Sequence, residues 1–311
     1  MRGYFESEVP YSIGYNSVLD FLGQLMVVMF LLYSGYGVME ALKRNPQKYR
    51  DTFLSHRIGK VWLMFAIAVA LYLTLNVMLS IKHEPIKYFT CWIGWDDIGN
   101  SNWFVFDILA LYIITYITLI FFVNTLCADR TKGFIIMIYV LTFIVLLVLK
   151  ISGKGSWWYD TVLAYPTGML YAAYKNKIEH MVQGRRYWVV VSALAILFLF
   201  CRFKSYAIVA YFDNTLSRQI YFIIFVFTSS IFAVLVVLLT MKIKIDNQVL
   251  RWLGTNAFAI YILQRLLMIL GTHLGWNTNA ILFACFVVPT TLLISAIYTA
   301  VTNKLNKKLF R

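Results

Sequence analysis

Two short stretches of this chain hold the residues best able to do chemistry. The first is YRDTFLSHRIGKVW, residues 49–62. On a helix, Arg57 and Lys60 stand at i and i+3 and His56 and Lys60 at i and i+4, so three cationic or titratable groups share one face. Such a cluster can hold phosphates through charge-assisted hydrogen bonds. It can equally be a positive flank lying against anionic lipid headgroups. The second stretch is YILQR, residues 261–265, where Gln264 and Arg265 sit inside an otherwise apolar run. A guanidinium there must face protein, water or a carboxylate, which leaves a site-lining role and a structural ion pair both open. Asp107 lies about one turn into another apolar run and can line a site or face water. In the first apolar run, Asp20 and Glu40 lie near the ends, where interfacial water solvates them, and Gln24 lies further in. The four histidines, His56, His83, His180 and His273, make no Ser-His-Asp or Cys-His pattern by spacing. The four cysteines, Cys91, Cys127, Cys201 and Cys285, contain no CxxC pair, so neither a metal site nor a disulfide framework is indicated.

The elements that must position these residues are apolar and long. A bilayer core about 30 Å thick needs roughly 20 apolar residues at about 1.5 Å rise, and residues 61–81 run for 21 positions without a charge. Spans are expected at residues 18–42, 61–82, 103–126, 133–149, 156–174, 187–203, 219–241, 252–275 and 278–302. The expected fold is therefore an all-α, polytopic transmembrane bundle of about nine spans in one membrane domain covering residues 1–311. With the loop 43–60 in the cytoplasm, alternation puts 19 Lys/Arg in cytoplasmic segments and 8 outside, leaving Arg265 within a span. Positive-inside bias then orients the N-terminus outside and the C-terminus inside. Tryptophans agree with an interfacial belt: Trp62, Trp188 and Trp252 fall at inner ends, and Trp92, Trp95, Trp103, Trp157, Trp158 and Trp276 at outer ends.

Composition bounds the function. The chain is 61% hydrophobic and 14% charged, with 28 Lys+Arg against 14 Asp+Glu, and its mean hydropathy is +0.72. A net charge of +14 confined to short loops between apolar spans cannot assemble the continuous basic face that nucleic acid requires. The expected partner is the lipid bilayer of a cell membrane. The first 16 residues carry Glu6, Glu8 and Arg2 but no apolar run, so they are not a signal peptide.

Several motifs together resemble the acyltransferase 3 family of integral membrane O-acyltransferases. MVVMFLLYSGYGVMEALKRN (26–45) followed by FLSHRIGKVW (53–62) is similar to the family's FFxxSG helix and its basic RxxR-type entry. SNWFVFDILALY (101–112) is similar to its Trp-led helix, and YPTGMLYAAY (165–174) to its FxxG helix. VLRWLGTNAFAIYILQRLL (249–267) resembles its closing pattern. Each motif alone is weak, but the likeness runs over most of the chain in order and spacing.

The resemblance implies a bundle of about ten helices that takes an acyl group, usually acetyl from acetyl-CoA, and passes it to a hydroxyl of a cell-surface polysaccharide or lipid-linked sugar. It implies that Arg57 and Lys60 hold the CoA phosphates. Ser34 and Gly35 match the SG pair, where small residues also permit close helix packing. Gly254 and Thr255 would start a cytoplasmic helix, with Thr255 as its cap. Tyr261 and Gln264 fall on the closing motif, Gln replacing its frequent His. Lys60 in place of the second Arg keeps a point charge but loses a bidentate fork. The family's first helix, bearing an Arg and a catalytic His, has no counterpart in the motifs, and one more helix before residue 1 would return the N-terminus to the cytoplasm. The general base is therefore unassigned, and this chain alone is expected to be weakly active or inactive. A transporter or flippase of a lipid-linked or sugar substrate is the alternative, with Asp107 and Arg265 lining the pathway. A catalytically silent family member is the further one.

Overall fold

The computed structural model describes residues 13–122, 131–212, 215–243 and 246–310. The long helices are α1 (Ile13–Arg44), α3 (Lys60–Met78), α5 (Trp103–Phe122), α6 (Thr131–Ile151), α7 (Ala164–Met181), α8 (Arg185–Phe212), α9 (Thr215–Lys242), α10 (Gln248–His273) and α11 (Ala280–Leu309). Two short helices, α2 (Pro46–Phe53) and α4 (Lys87–Thr90), lie in the connections that flank α3. Seven helical stretches among the described residues are long and apolar enough to cross a bilayer. Their outward faces carry large apolar side chains such as Val77, Phe121 and Ile136, which a soluble protein would bury. The molecule is an all-α, multi-pass membrane protein.

The fifth and sixth expected spans are not among those seven, and for the sixth, which α8 carries, the side chains of residues 203–212 lie outside the described residues. Residues 156–163 form a single 3₁₀ turn (Ser156–Trp158) and an irregular stretch, so α7 begins at Ala164 instead of residue 156. Pro166 then falls in the first turn, where its missing N–H breaks no hydrogen bond. Asp160 lies ahead of the helix, buried, and the far end of α7 carries Lys175, Lys177 and Glu179. Helix α8 opens with Arg185 and Arg186 and holds Arg202. The outward start of the chain turns on residues 1–12, outside the described residues, as does Cys127; the side chains of Asp20 and Gln24 are likewise outside them.

Contacts divide the chain into two compact units. The first contains residues 54–109 and 246–310, and the second residues 13–53 and 110–245. In the second unit α1 packs along α7 at a separation set by two glycines. A Cβ on Gly35 would stand 2.0 Å from the Tyr165 carbonyl oxygen, and one on Gly168 would stand 2.0 Å from that of Leu32. Without water to hydrate helices in lipid, such backbone-to-backbone contact is a main source of association. Helices α8 and α9 close a hairpin over Tyr187, Val191, Leu235 and Leu238, and the Tyr187 hydroxyl donates to the Leu238 carbonyl at 3.0 Å. In the first unit α10 and α11 form the corresponding hairpin over Leu267, Met268, Phe283 and Val287. Asn279 starts α11 by accepting from the amides of Ile281 and Leu282 at 3.0 and 3.1 Å. Helix α3 joins this hairpin by tyrosines at two levels: Tyr72 donates to the Ile262 carbonyl at 3.0 Å, and Tyr298 donates to the Met64 carbonyl.

Candidate active site

The basic entry to α3 is not an α-helical turn. Residues Leu54–Gly59, which include His56 and Arg57, form a π-helical turn between α2 and α3. In that wider turn hydrogen bonds close five residues apart instead of four, so the i, i+3 register expected of Arg57 and Lys60 is relaxed. Gly59 ends the turn beneath the Phe310 ring, whose Cε1 would lie 2.9 Å from an added Cβ. Arg57 and Lys60 are half-buried and His56 is exposed. Lys60 makes no hydrogen bond or ion pair among the described residues, so its ammonium is available to an anion. A half-buried guanidinium and a neighbouring ammonium at a helix entrance can pair with an anionic group.

Further along the same unit, three of the expected residues come together. Asp107 is fully buried on α5, so it does not face water. Tyr261 packs edge-on against Trp103 and Phe104, with ring centroids 6.4 and 5.4 Å away, and stands within coulombic reach of both Asp107 and Arg265. Arg265, one turn on, donates from a guanidinium nitrogen to the Asn100 carbonyl at 3.0 Å. Thus α10 presents Tyr261 and Arg265 along one face, with Asp107 supplied by α5. Gln264 lies about 100° round α10 from Arg265, half-buried, and makes no hydrogen bond among the described residues. Ser34 and Gly35 belong to the second unit. There the Ser34 and Tyr112 hydroxyls share a hydrogen bond at 2.7 Å, and the Thr115 and Tyr165 hydroxyls share one at 2.9 Å.

The segment between α3 and α5 completes the first unit's polar interior. Trp62 donates from its indole nitrogen to the Trp92 carbonyl at 3.1 Å. The two tryptophans expected at opposite interfaces therefore meet, because residues 79–102 return along α3 through α4 and the 3₁₀ turn Cys91–Ile93. The same segment brings in His83, whose ring nitrogen Nε2 lies 3.0 Å from the Asn76 amide nitrogen. Asn76 also donates to the Ile98 carbonyl at 2.9 Å, which fixes the amide's orientation. Nε2 of His83 thus accepts from the Asn76 amide.

A sequence profile described as an acyltransferase domain matches residues 3–300. The chain belongs to the acyltransferase 3 family. No curated protein and no solved structure matches it. The family's motifs fall on distinct structural jobs: the SG pair and the YPTG glycine meet at the α1–α7 contact, the basic entry is the π turn, and the closing motif carries Tyr261 and Arg265. One expected detail changes. Helix α10 starts at Gln248, capped by Asn247, whose side chain accepts from the Leu250 amide at 2.8 Å. Thr255 is a turn and more inside, donating back to the Arg251 carbonyl at 2.9 Å, and Gly254 has open space beside it. Asn is the stronger N-cap, and it captured the helix start two turns earlier.

Several residues that shape this acyltransferase 3 interior carried a readable signal. Asn76 is a lone amide near the end of an uncharged run, and Asn100, Ser101 and Asn102 are three consecutive polar residues, all buried. Buried polar groups are normally partnered, and Asn102 does donate to the Gly94 carbonyl at 2.8 Å. Tyr72 could not be separated by type from the apolar neighbours that flank it.

Proposed function

We propose that the chain is a membrane O-acyltransferase that moves an acyl group, acetyl in the simplest case, from acyl-CoA to a hydroxyl of a cell-surface polysaccharide or lipid-linked sugar. The observation that carries this reading is the pairing, within one unit, of a basic helix entrance with a cluster of buried Asp107 and half-buried Tyr261 and Arg265 in a chain of the acyltransferase 3 family. Lys60 and Tyr72 are twelve residues apart on one helix, about 18 Å at helical rise. Tyr72 bonds to the residue after Tyr261. The pantetheine arm of CoA is long enough to cover that separation, so phosphates on Arg57 and Lys60 can deliver a thioester to the cluster.

At the cluster, acyl transfer needs a base for the sugar hydroxyl and positive or hydrogen-bonding groups for the oxyanion. In this reading Asp107, with no histidine among the described residues to compete with it at the cluster, takes the hydroxyl proton as the sugar oxygen attacks the thioester carbon. In the same reading Arg265 and Tyr261 stabilise the tetrahedral oxyanion. Collapse breaks the carbon–sulfur bond, the CoA thiolate leaves, and the proton passes from Asp107 to it. With Asp107 as the base, and against the expectation of weak activity drawn from the missing histidine helix, the purified chain in lipid should release CoA thiol, dependent on an added sugar acceptor and yielding an acylated sugar. Counterflow of a sugar substrate with no acyl transfer would overturn the reading in favour of transport.

A further inference from the structure

The second unit holds a pair of adjoining cavities that no step of acyl transfer uses. The larger, about 610 Å³, lies between the basic ends of α1 and α7 and is lined by Glu40, Lys43, Lys175, Lys177 and Glu179 with Tyr36. The smaller, about 270 Å³, shares Tyr36, Lys175 and Glu179 with it and continues against Leu32, Val237 and Met241 of α1 and α9. A charged chamber thus shares Tyr36, Lys175 and Glu179 with a neighbouring chamber that adds aliphatic side chains, a pairing of surfaces that suits an amphiphile.

The wall is organised around a break in α7. Tyr174 has non-helical torsions (φ −113°, ψ 17°), and Lys43 donates to the Ala172 carbonyl in the preceding turn. Lys43 also pairs with Glu40 at 2.8 Å. Across the chamber Lys175 donates to the Tyr36 hydroxyl at 3.3 Å. That bond, with Glu179 and Glu40 nearby, holds the ammonium above its usual range. The Tyr171 hydroxyl donates to Glu179 at 2.8 Å. The Tyr174 hydroxyl, also on the lining, has no hydrogen-bond partner among the described residues.

We propose that this double cavity binds a zwitterionic glycerophospholipid, its phosphate toward Lys43, Lys175 and Lys177, its ammonium toward Glu40 and Glu179, and an acyl chain in the apolar extension. Charge complementarity selects the occupant. Three ammonium groups beside two carboxylates suit a headgroup that carries both signs, whereas a purely anionic lipid or the multiply anionic acyl-CoA would meet two carboxylates at close range. The basic ends of α1 and α7 also lie where positive-inside charge places the headgroups of the cytoplasmic leaflet.

The test is native mass spectrometry and lipid extraction on the full chain, reconstituted in vesicles of equal phosphatidylethanolamine and phosphatidylglycerol and then gently solubilised. Phosphatidylethanolamine is expected to be retained several-fold above its bulk share, and acyl-CoA should not displace it. Glu179→Gln preserves an acceptor for Tyr171 while removing the charge, so it should leave the chain monodisperse and shift retention toward phosphatidylglycerol; Glu40→Gln should do the same. Retention at the bulk ratio, preference for phosphatidylglycerol in the unaltered chain, displacement by acyl-CoA, or an unchanged preference in both folded variants would each overturn the proposal.

Discussion

The α1–α7 contact and the α10 face solve the problem of polar backbone in lipid in opposite ways. At Gly35 and Gly168 two helices approach until the carbonyl of one occupies the space a side chain would need on the other. At Tyr261 and Arg265 the helices stand apart, and the space is filled by aromatic rings and by a guanidinium bonded to the Asn100 carbonyl. The first kind of site is specified by what is missing from the residue, so any addition harms it. The second is specified by functional groups, so a shape-preserving change should leave the fold and remove only the chemistry.

The sharpest way to break that contrast is to add one carbon to the glycines. Gly168→Ala and Gly35→Ala each place Cβ against a carbonyl oxygen that can move only with its helix, so the penalty should exceed the usual overpacking range of about 1–3 kcal/mol. Neither variant should give a monodisperse peak on size exclusion in detergent; a normal peak and an unchanged melting temperature would show that the helices can separate cheaply. The opposite behaviour is expected of Asp107→Asn. It should fold and bind acyl-CoA normally yet lose about 10² to 10⁴ in acyl-transfer rate, the usual worth of a positioned base. An intact rate would remove Asp107 from the chemistry.

Next in size is the basic entrance. Arg57→Ala should weaken CoA binding by about 1.5–3 kcal/mol for a lost charge-assisted hydrogen bond, with a shallower salt dependence than the parent. Lys48→Ala, on the exposed face of α2, should leave both unchanged. Equal small effects from the two, read by calorimetric titration, would mark the entrance as a headgroup contact only. The smallest effect is expected of Ser34→Ala, which forfeits the 2.7 Å bond to Tyr112 and should cost about 0.5–1.5 kcal/mol, visible as a modest drop in melting temperature with activity retained. A loss of rate without a loss of stability would instead move Ser34 from packing to chemistry.

Seven of the expected spans were legible because length and apolarity are summed over twenty positions, and one misplaced residue changes little. The fifth was not, because Asp160 and Pro166 sit where a hydropathy average cannot tell a broken stretch from a helix start. The importance of Gly35 was legible from its small neighbour and its motif, whereas its counterpart Gly168 carried only a motif. Arg265 stood out because a lone cation in an apolar run demands a partner. That the partner is the Asn100 carbonyl, and that Trp92 comes back to meet Trp62, depend on how residues 79–102 return along α3, which follows no periodicity. The entrance was legible in composition but not in shape, since nothing in LSHRIG distinguishes a π turn from an α turn.

That turn has a consequence for how the protein could have arisen and how it can be edited. A single π turn inside a long helix behaves as one residue inserted into an α-helix. Removing Ile58 should let residues 54–78 close into one uninterrupted α-helix, rotating residues 54–57 by about 100° relative to α3. The chain would keep its spans and its composition while Arg57 swung away from the face that Lys60 occupies. The bulge is thus an indexing device: one surplus residue sets the bearing of the entrance independently of the helix that carries it.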